Sequence, residues 1–122
     1  MKTYNLIILA VLVLSFSAPA TACEIFSLAH DPAGSVNGTA IFESENRTQF
    51  ATIEGTQIFN MWNVRVGQVE GSKFEDENGF VWGWVRGSTI LNLYGYKIGT
   101  AKRCSPFEAA AGALVLLDPL DP

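Results

Sequence analysis

The feature that most constrains the fold of this chain is an internal repeat of 16 residues. The clearest copies span residues 56–71, 72–87 and 88–103, which align with one another without a gap. Residues 39–55 form a further copy with one inserted residue, and residues 23–38 form a fainter one that matches mainly at its two ends. A fixed period of this length indicates that one small structural unit is used several times.

Each copy has the pattern of a β-hairpin. If the positions of a repeat are numbered 1 to 16, position 8 holds Asn63, Gly79 and Gly95 in the three clear copies, and position 16 is glycine in the first four. Asparagine and glycine tolerate the positive φ angles that tight hairpin turns require. Two turns in 16 residues leave two strands of about five or six residues, the commonest strand length. Position 3 is apolar in all five copies: Ile25, Ile41, Ile58, Phe74 and Ile90.

Position 12 lies within the second strand and holds Gly34, Gly67, Gly83 and Gly99. In the clear copies the apolar positions are 9 and 11 before this glycine but 14 after it, so the apolar face changes parity. A glycine-containing β-bulge has this effect, because it inserts one residue and bends the strand. The alternative is that the glycine faces a crowded centre where no Cβ fits.

The repeat has the pattern F/I-x-D/N-x-x-G-x-x-x-G-x-V-x-G, here Phe74, Asp76, Gly79, Gly83, Val85 and Gly87. This pattern resembles that of the 4-fold β-flower proteins, small exported bacterial proteins in which short hairpins surround a pseudo-symmetry axis. The resemblance implies an all-β fold of four to five hairpins around such an axis, and it implies no activity and no functional residues. Residues 29–33 depart from the turn pattern, which leaves four or five hairpins open.

The chain begins with the pattern of an export signal. Lys2 is followed by an apolar run over residues 6–16 and by the small residues 20–22, which are typical of a cleavage site. We therefore predict a signal peptide at residues 1–22, a hairpin-repeat domain at 23–104 and an apolar C-terminal segment with a tail at 105–122. The protein is expected to be periplasmic or secreted.

The two cysteines, Cys23 and Cys104, occupy the first position of the repeat array and the first position after it. If the hairpins curl into a ring, these two ends meet, which favours a disulfide in a small exported domain. The alternative is a lipid anchor on Cys23, which would be the first residue of the mature chain.

The segment after Cys104 departs from the repeat. Ser105, Pro106 and Glu108 form a capping-box signature at the start of a helix, and residues 109–117 are apolar on every side. Such a helix must be buried or interfacial, and we predict that it packs over the open end of the hairpin array. The alternative is that residues 113–117 form a closing strand, since short apolar runs are ambiguous.

Charge and composition exclude several functions. The segment after residue 22 keeps all 12 acidic residues and all basic residues except Lys2 (8 − 1 = 7), so its net charge is −5. A nucleic-acid partner would require a basic face. The single histidine, His30, has no catalytic companion motif, and the cysteines lack metal-ligand spacing. We therefore expect no enzyme activity, no metal and no cofactor.

Aromatic side chains between residues 62 and 96 are the remaining candidates for function. Trp82 and Trp84 are two residues apart on one strand and are expected on the same face. Trp84 is the better candidate for exposure, because position 13 is polar in the other copies. A core role and a binding role are both open for these rings. The candidate binding residues are Trp84, Trp62, Tyr94 and Tyr96.

Two functions are compatible with these patterns. The first is a non-enzymatic structural or interaction module with an unknown protein or glycan partner in the envelope or outside the cell. The second is a glycan- or cell-wall-binding module that uses the exposed aromatic side chains.

Overall fold

A computed structural model describes residues 22–45 and 47–117 of the chain. The predicted export signal, apart from Ala22, and the tail after residue 117 lie outside the described residues. The described part contains ten strands and one helix: β1 (Cys23–Ser27), β2 (Pro32–Asn37), β3 (Ala40–Glu43), β4 (Gln49–Glu54), β5 (Gln57–Asn60), β6 (Arg65–Glu70), β7 (Lys73–Asp76), β8 (Val81–Arg86), β9 (Thr89–Asn92), β10 (Lys97–Lys102) and α1 (Pro106–Leu116).

The ten strands form a closed antiparallel barrel in which each strand pairs with its neighbours in the chain, and β1 pairs with β10. The predicted all-β fold of hairpin repeats with a C-terminal helix is therefore confirmed. Each 16-residue repeat forms one hairpin, and the faint first repeat forms one as well, so the ring contains five hairpins.

The turns of the described residues follow the repeat throughout. Every residue with positive φ lies at position 8 or position 16 of a repeat: His30, Gly38, Arg47, Gly55, Asn63, Gly71, Gly79, Gly87, Gly95 and Arg103. His30 occupies position 8 in the first repeat, with φ of 69°. The departure at residues 29–33 thus changes the residues of the turn but keeps its backbone conformation.

The registers of the ten strand pairs obey the same period. Within each hairpin, position 3 faces position 12, as Ile58 faces Gly67 and Phe74 faces Gly83. Between hairpins, position 14 faces position 3 of the next repeat, as Val69 faces Phe74. The closing pair β1–β10 uses this register too, because Ala101 faces Ile25. The ring therefore closes with the geometry that joins consecutive hairpins.

The predicted bulge is present in every hairpin. The pairing skips position 11, the residue before position 12, in all five second strands. The crowding alternative also holds, because a Cβ at Gly67 would overlap the carbonyl oxygen of Glu75 in the neighbouring strand. The second repeat has Ala51 at this position, and its hairpin is the one with the inserted residue.

Helix α1 begins as the sequence predicts. Ser105 is the N-cap, its hydroxyl accepts a hydrogen bond from the Glu108 N–H, and the Glu108 carboxylate accepts one from the Ser105 N–H. The alternative closing strand is wrong, because residues 113–116 are helical. The barrel needs no further strand, since β10 already pairs with β1.

The position of α1 differs from the prediction, because the helix lies inside the barrel and not over its end. It contacts β1, β2, β4, β6, β7, β8 and β9, which lie on all sides of the ring. Residues 109–114 are buried. A Cβ at Gly112 would come within 2.7 Å of Ile25 Cγ1 and 3.1 Å of Val36 Cγ2, both of which belong to inward-facing side chains. The Ala-rich helix is narrow enough to occupy this space.

The glycines at position 12 leave space for the helix and, in one hairpin, for an aromatic side chain. A Cβ at Gly34, Gly67 or Gly99 would come within 2.9 Å of a leucine side chain at the C-terminal end of α1, respectively Leu116, Leu114 and Leu117. In the fourth hairpin the space at Gly83 is taken by the ring of Phe74. This is the one repeat in which position 3 is phenylalanine, so the larger side chain fills the gap.

The predicted disulfide between Cys23 and Cys104 is present, with 4.6 Å between the two Cα atoms and a sequence separation of 81. It joins the start of β1 to the residue before the α1 N-cap. The thiol of Cys23 is therefore used in this bond. No helix among the described residues is long and apolar enough to cross a membrane.

Loss of the disulfide is predicted to destabilise the barrel strongly. The bond closes an 81-residue loop, so the double change Cys23→Ala/Cys104→Ala should lower the free energy of unfolding by about 2–5 kcal/mol. Urea denaturation of the oxidised protein, the reduced protein and the double variant measures this. Equal midpoints for all three would contradict a role of the bond in closing the ring.

The change Gly112→Ala tests whether α1 lies inside the barrel. On an exposed helix this change stabilises by about 1 kcal/mol through helix propensity. Within the barrel the new methyl group meets Ile25 and Val36, so the change should destabilise by about 1–3 kcal/mol. Denaturant unfolding gives the sign, with Ser35→Ala on the outside of β2 as a control. A stabilised Gly112→Ala variant would contradict the internal helix.

Candidate interaction surface at the hairpin tips

The five hairpins end in tip loops at one end of the barrel, formed by positions 5 to 9 of the repeats, while the turns between repeats lie at the other end. Eight of the ten large hydrophobic side chains that are exposed in the described part of the chain belong to these tip loops. We call this set the apolar crown: Leu28, Met61, Trp62, Val64, Phe80, Leu93, Tyr94 and Tyr96.

The crown side chains are well exposed although they are large. Trp62 is 82% exposed, Phe80 68% and Tyr94 67%. Single exposed hydrophobic residues need no explanation, but a group of them at one end of a protein marks an interaction surface. The barrel therefore has one apolar end.

The crown is an arc and not a full ring. The third, fourth and fifth hairpins supply seven of its eight members and are neighbours in the barrel. The first hairpin, next to the fifth, adds Leu28. The tip of the second hairpin is polar, with Glu43, Ser44, Glu45 and Arg47 among its residues. The apolar surface is thus bounded on one side by a charged loop.

A side chain at position 5 fixes the shape of each of the three tips that supply these seven side chains. In the third hairpin, Asn60 Oδ1 accepts hydrogen bonds from the N–H groups of Trp62 and Val64, at 2.9 and 3.0 Å. The backbone of Asn60 adds two more bonds, one from its N–H to the Val64 carbonyl and one to its carbonyl from the Asn63 N–H. At least four of the five N–H groups of residues 60–64 are therefore bonded within the loop.

The fourth and fifth hairpins repeat this arrangement. Asp76 and Asn92 each accept hydrogen bonds from the N–H groups two and four residues later, at distances between 2.8 and 3.0 Å. The same two backbone bonds are also present in both loops. Asn92 and Asp76 are buried under their loops, so these side chains face the barrel and the apolar side chains of the loops face outward.

The role of position 5 was not predicted, although the D/N in the repeat pattern is its signal. Asparagine and aspartate side chains accept hydrogen bonds from backbone groups two residues later and so stabilise turns. In the first hairpin Ser27 takes this role more weakly, since its hydroxyl accepts from the Asp31 N–H at 3.3 Å.

The structure separates the predicted binding residues into two places. Trp62, Tyr94 and Tyr96 belong to the crown. Trp84 lies on the outer wall of the barrel in β8 and is 37% exposed. Trp82 packs against the core, so the prediction that it shares a face with Trp84 is wrong. The physical reason is the bulge, which places Trp82 at the skipped position and interrupts the alternation of the strand.

Glu75 and Asp76, the first two residues of the acidic run 75–77, have structural roles. Glu75 on the outer wall accepts a hydrogen bond from Gln68 Nε2 at 2.7 Å and forms an ion pair with Lys73 at 3.2 Å. The bonds from Gln68 and then Lys73 hold the pKa of Glu75 below its ordinary value. Hydrogen bonds to Glu75 and Glu70 raise the pKa of Lys73. Asp76 caps the fourth tip.

Within the described residues, no group of three histidine, cysteine, aspartate or glutamate side chains is arranged to hold a metal ion. His30 lies exposed in the tip turn of the first hairpin. Comparison of the chain with models of known protein families, with curated proteins and with solved structures finds no match.

The cap at position 5 is predicted to be required for the tips. The change Asn92→Ala leaves the Tyr94 and Tyr96 N–H groups without their partner and should lower the free energy of unfolding by about 1–3 kcal/mol. The matched change Asn92→Asp keeps the accepting oxygen, as Asp76 does in the fourth hairpin, and should cost less. Chemical denaturation measures both variants. Equal losses would contradict the capping role.

Proposed function

We propose that the protein is an exported, non-enzymatic interaction module that contacts a partner in the envelope or outside the cell through its apolar crown. The crown itself is the observation that carries this proposal. Seven of its side chains lie on three neighbouring loops whose backbone is held by internal hydrogen bonds. A preformed apolar surface of this kind binds without first having to order its loops, which lowers the cost of association.

Export is supported by two independent features. The N-terminal pattern of residues 1–22 is that of a signal peptide. The Cys23–Cys104 disulfide suits an oxidising compartment such as the periplasm or the extracellular space. The hairpin repeat further supports kinship with the 4-fold β-flower proteins, from which this chain differs by having five hairpins.

Glycan binding is the second candidate function. It is favoured by the exposure of three aromatic rings: Trp62 in the third tip, and Tyr94 and Tyr96 in the fifth tip, with the fourth tip between them. Such rings can stack on the faces of sugars. Trp84 would not take part in the same contact, because it lies on the outer wall and not at the tips.

Retention on an envelope preparation tests the proposed function. The oxidised protein is incubated with washed envelopes of the cells that produce it, and the bound fraction is measured after sedimentation. Wild type should be retained. The crown variant, Trp62→Ser/Tyr94→Ser, should have an affinity that is lower by about tenfold or more, because truncation of each buried aromatic anchor costs more than about 1 kcal/mol.

The wall variant, Phe50→Ser/Trp84→Ser, is the matched control. It removes two aromatic side chains that are exposed outside the crown, and it should bind like wild type. Equal retention of the crown variant and wild type would contradict the proposal. Release of wild type by soluble cell-wall polysaccharide would favour the glycan candidate. Circular dichroism and unfolding midpoints establish that both variants keep the fold.

A further inference from the structure

We infer that the partner of the apolar crown is a phospholipid bilayer, into whose interfacial layer the hairpin tips insert. This inference rests on the proposed function and names the chemistry of the surface that the crown contacts. Four properties of the tip end point to it: the side chains of the crown, the hydrogen bonding of the loop N–H groups, the position of two basic residues, and the polar half of the outer wall away from the tips.

The crown has the side chains that membrane interfaces favour. Tryptophan and tyrosine are enriched at the level of lipid headgroups, where their rings have an apolar body and a polar edge. Trp62, Tyr94 and Tyr96 match this preference. The other five crown side chains are purely hydrophobic or nearly so and suit the boundary of the acyl chains: Leu28, Met61, Val64, Phe80 and Leu93.

The backbone of the tips is prepared for a medium with little water. A backbone N–H that enters the bilayer must be hydrogen-bonded within the protein, since each unpaired group costs several kcal/mol there. In the loop that contains Trp62, the N–H groups of residues 60, 62, 63 and 64 are all bonded inside the loop. The loops that contain Phe80 and Tyr94 have the corresponding bonds.

The same hydrogen bonds of the loop N–H groups make a protein partner less suitable. Protein interfaces usually contain direct hydrogen bonds, about one per 100–200 Å². The tips retain few free backbone donors for a partner. Two grooves on the outer wall are lined by residues outside the crown. The crown thus consists of separate projecting loops, to which a fluid lipid surface can adapt.

Two basic residues lie directly behind the crown. Arg65 and Lys97 both occupy position 10, one residue after the crown members Val64 and Tyr96. The tip loops of the third and fifth hairpins contain no acidic residue. Arg65 Nη2 donates a hydrogen bond to the Glu77 carbonyl at 2.8 Å, and its other guanidinium N–H groups remain available. With the loops inserted, the two cations lie at the depth of the lipid phosphates and complement their charge. Asp31 in the first tip, Glu77 in the fourth tip and the acidic second tip oppose strongly anionic membranes.

The outer wall limits the depth of insertion. Beside the tips, the outward-facing position 4 is apolar in four repeats: Phe26, Phe42, Phe59 and Leu91. Farther from the tips, the outward-facing positions 13 and 15 are polar or charged in every repeat except at Trp84: Ser35, Asn37, Thr52, Glu54, Gln68, Glu70, Arg86, Thr100 and Lys102. Burial of these groups in hydrocarbon is unfavourable. The half of the barrel away from the tips is therefore not suited to enter the bilayer, and insertion stops near the tips.

Binding to protein-free vesicles tests this inference. The oxidised protein is mixed with vesicles of phosphatidylcholine, and with vesicles that contain 20% phosphatidylglycerol, and bound protein is measured by sedimentation. Wild type should bind both. A second set of vesicles with brominated acyl chains should quench tryptophan fluorescence, and this quenching should be lost in Trp62→Ser, because Trp62 is the tryptophan of the crown.

The variants locate the contact. The affinity of the crown variant for vesicles should be lower by about tenfold or more, since the transfer free energy of two inserted aromatic side chains is lost. The wall variant should bind like wild type. Arg65→Gln/Lys97→Gln should weaken binding, and more so with phosphatidylglycerol. Absence of wild-type binding to either vesicle, or equal binding of crown variant and wild type, would overturn the inference.

The vesicle experiment tests the lipid inference, and the envelope experiment tests the proposed function. If envelopes retain the protein through the crown but vesicles do not bind it, the lipid inference is wrong and the interaction module stands, with a protein or glycan partner. If crown substitutions leave envelope retention unchanged, the proposed function is wrong as well.

Discussion

Packing of helix α1 against the inward face of five hairpins is the interaction on which the rest of the structure depends. An eight-stranded barrel is just wide enough for side chains to fill its interior. Here ten strands close the ring, and one inward position of nearly every hairpin is glycine. Side chains from the strands alone would leave a void, which protein interiors do not tolerate. The helix fills this space with alanines and with three leucines that meet the glycines.

The helix and the ring of strands also stabilise each other. A single hairpin of this length is marginal in water, and an isolated helix of 11 residues is no more stable. Each becomes stable because it buries the apolar face of the other. The Cys23–Cys104 bond lies where the last strand meets the first and where the helix begins, so one covalent link holds the closure of the ring and the start of its central helix. A rigid barrel results, and the tip loops project from one of its ends.

Much of this architecture could be predicted from the sequence because the repeat encodes it directly. The period predicted the hairpins, the parity change at Gly67 and Gly83 predicted the bulge, and the positions of Cys23 and Cys104 predicted the disulfide. Ser105 and Glu108 predicted the start of the helix. Each of these depends on local backbone chemistry or on the spacing of residues, which the sequence contains.

The internal position of the helix and the candidate surface could not be predicted in the same way. Periodicity assigns a face to each strand, but it does not give the number of strands in the ring or the width of its interior. Strand position alone favours Trp84 as the exposed aromatic side chain. The structure shows that Trp62, Tyr94 and Tyr96 share the tip loops. Asn60, Asp76 and Asn92 cap these loops, and their hydrogen bonds turn the apolar side chains of the loops outward.

Methyl-to-methyl nuclear Overhauser effects in the oxidised protein determine whether α1 lies inside the ring. With the helix inside the ring, the methyl groups of residues 109–114 should show contacts to Ile25 of β1 and also to Val69 of β6 and Val85 of β8. Contacts from the helix to two adjacent strands alone would place it on an edge or an end of the barrel and would contradict this account.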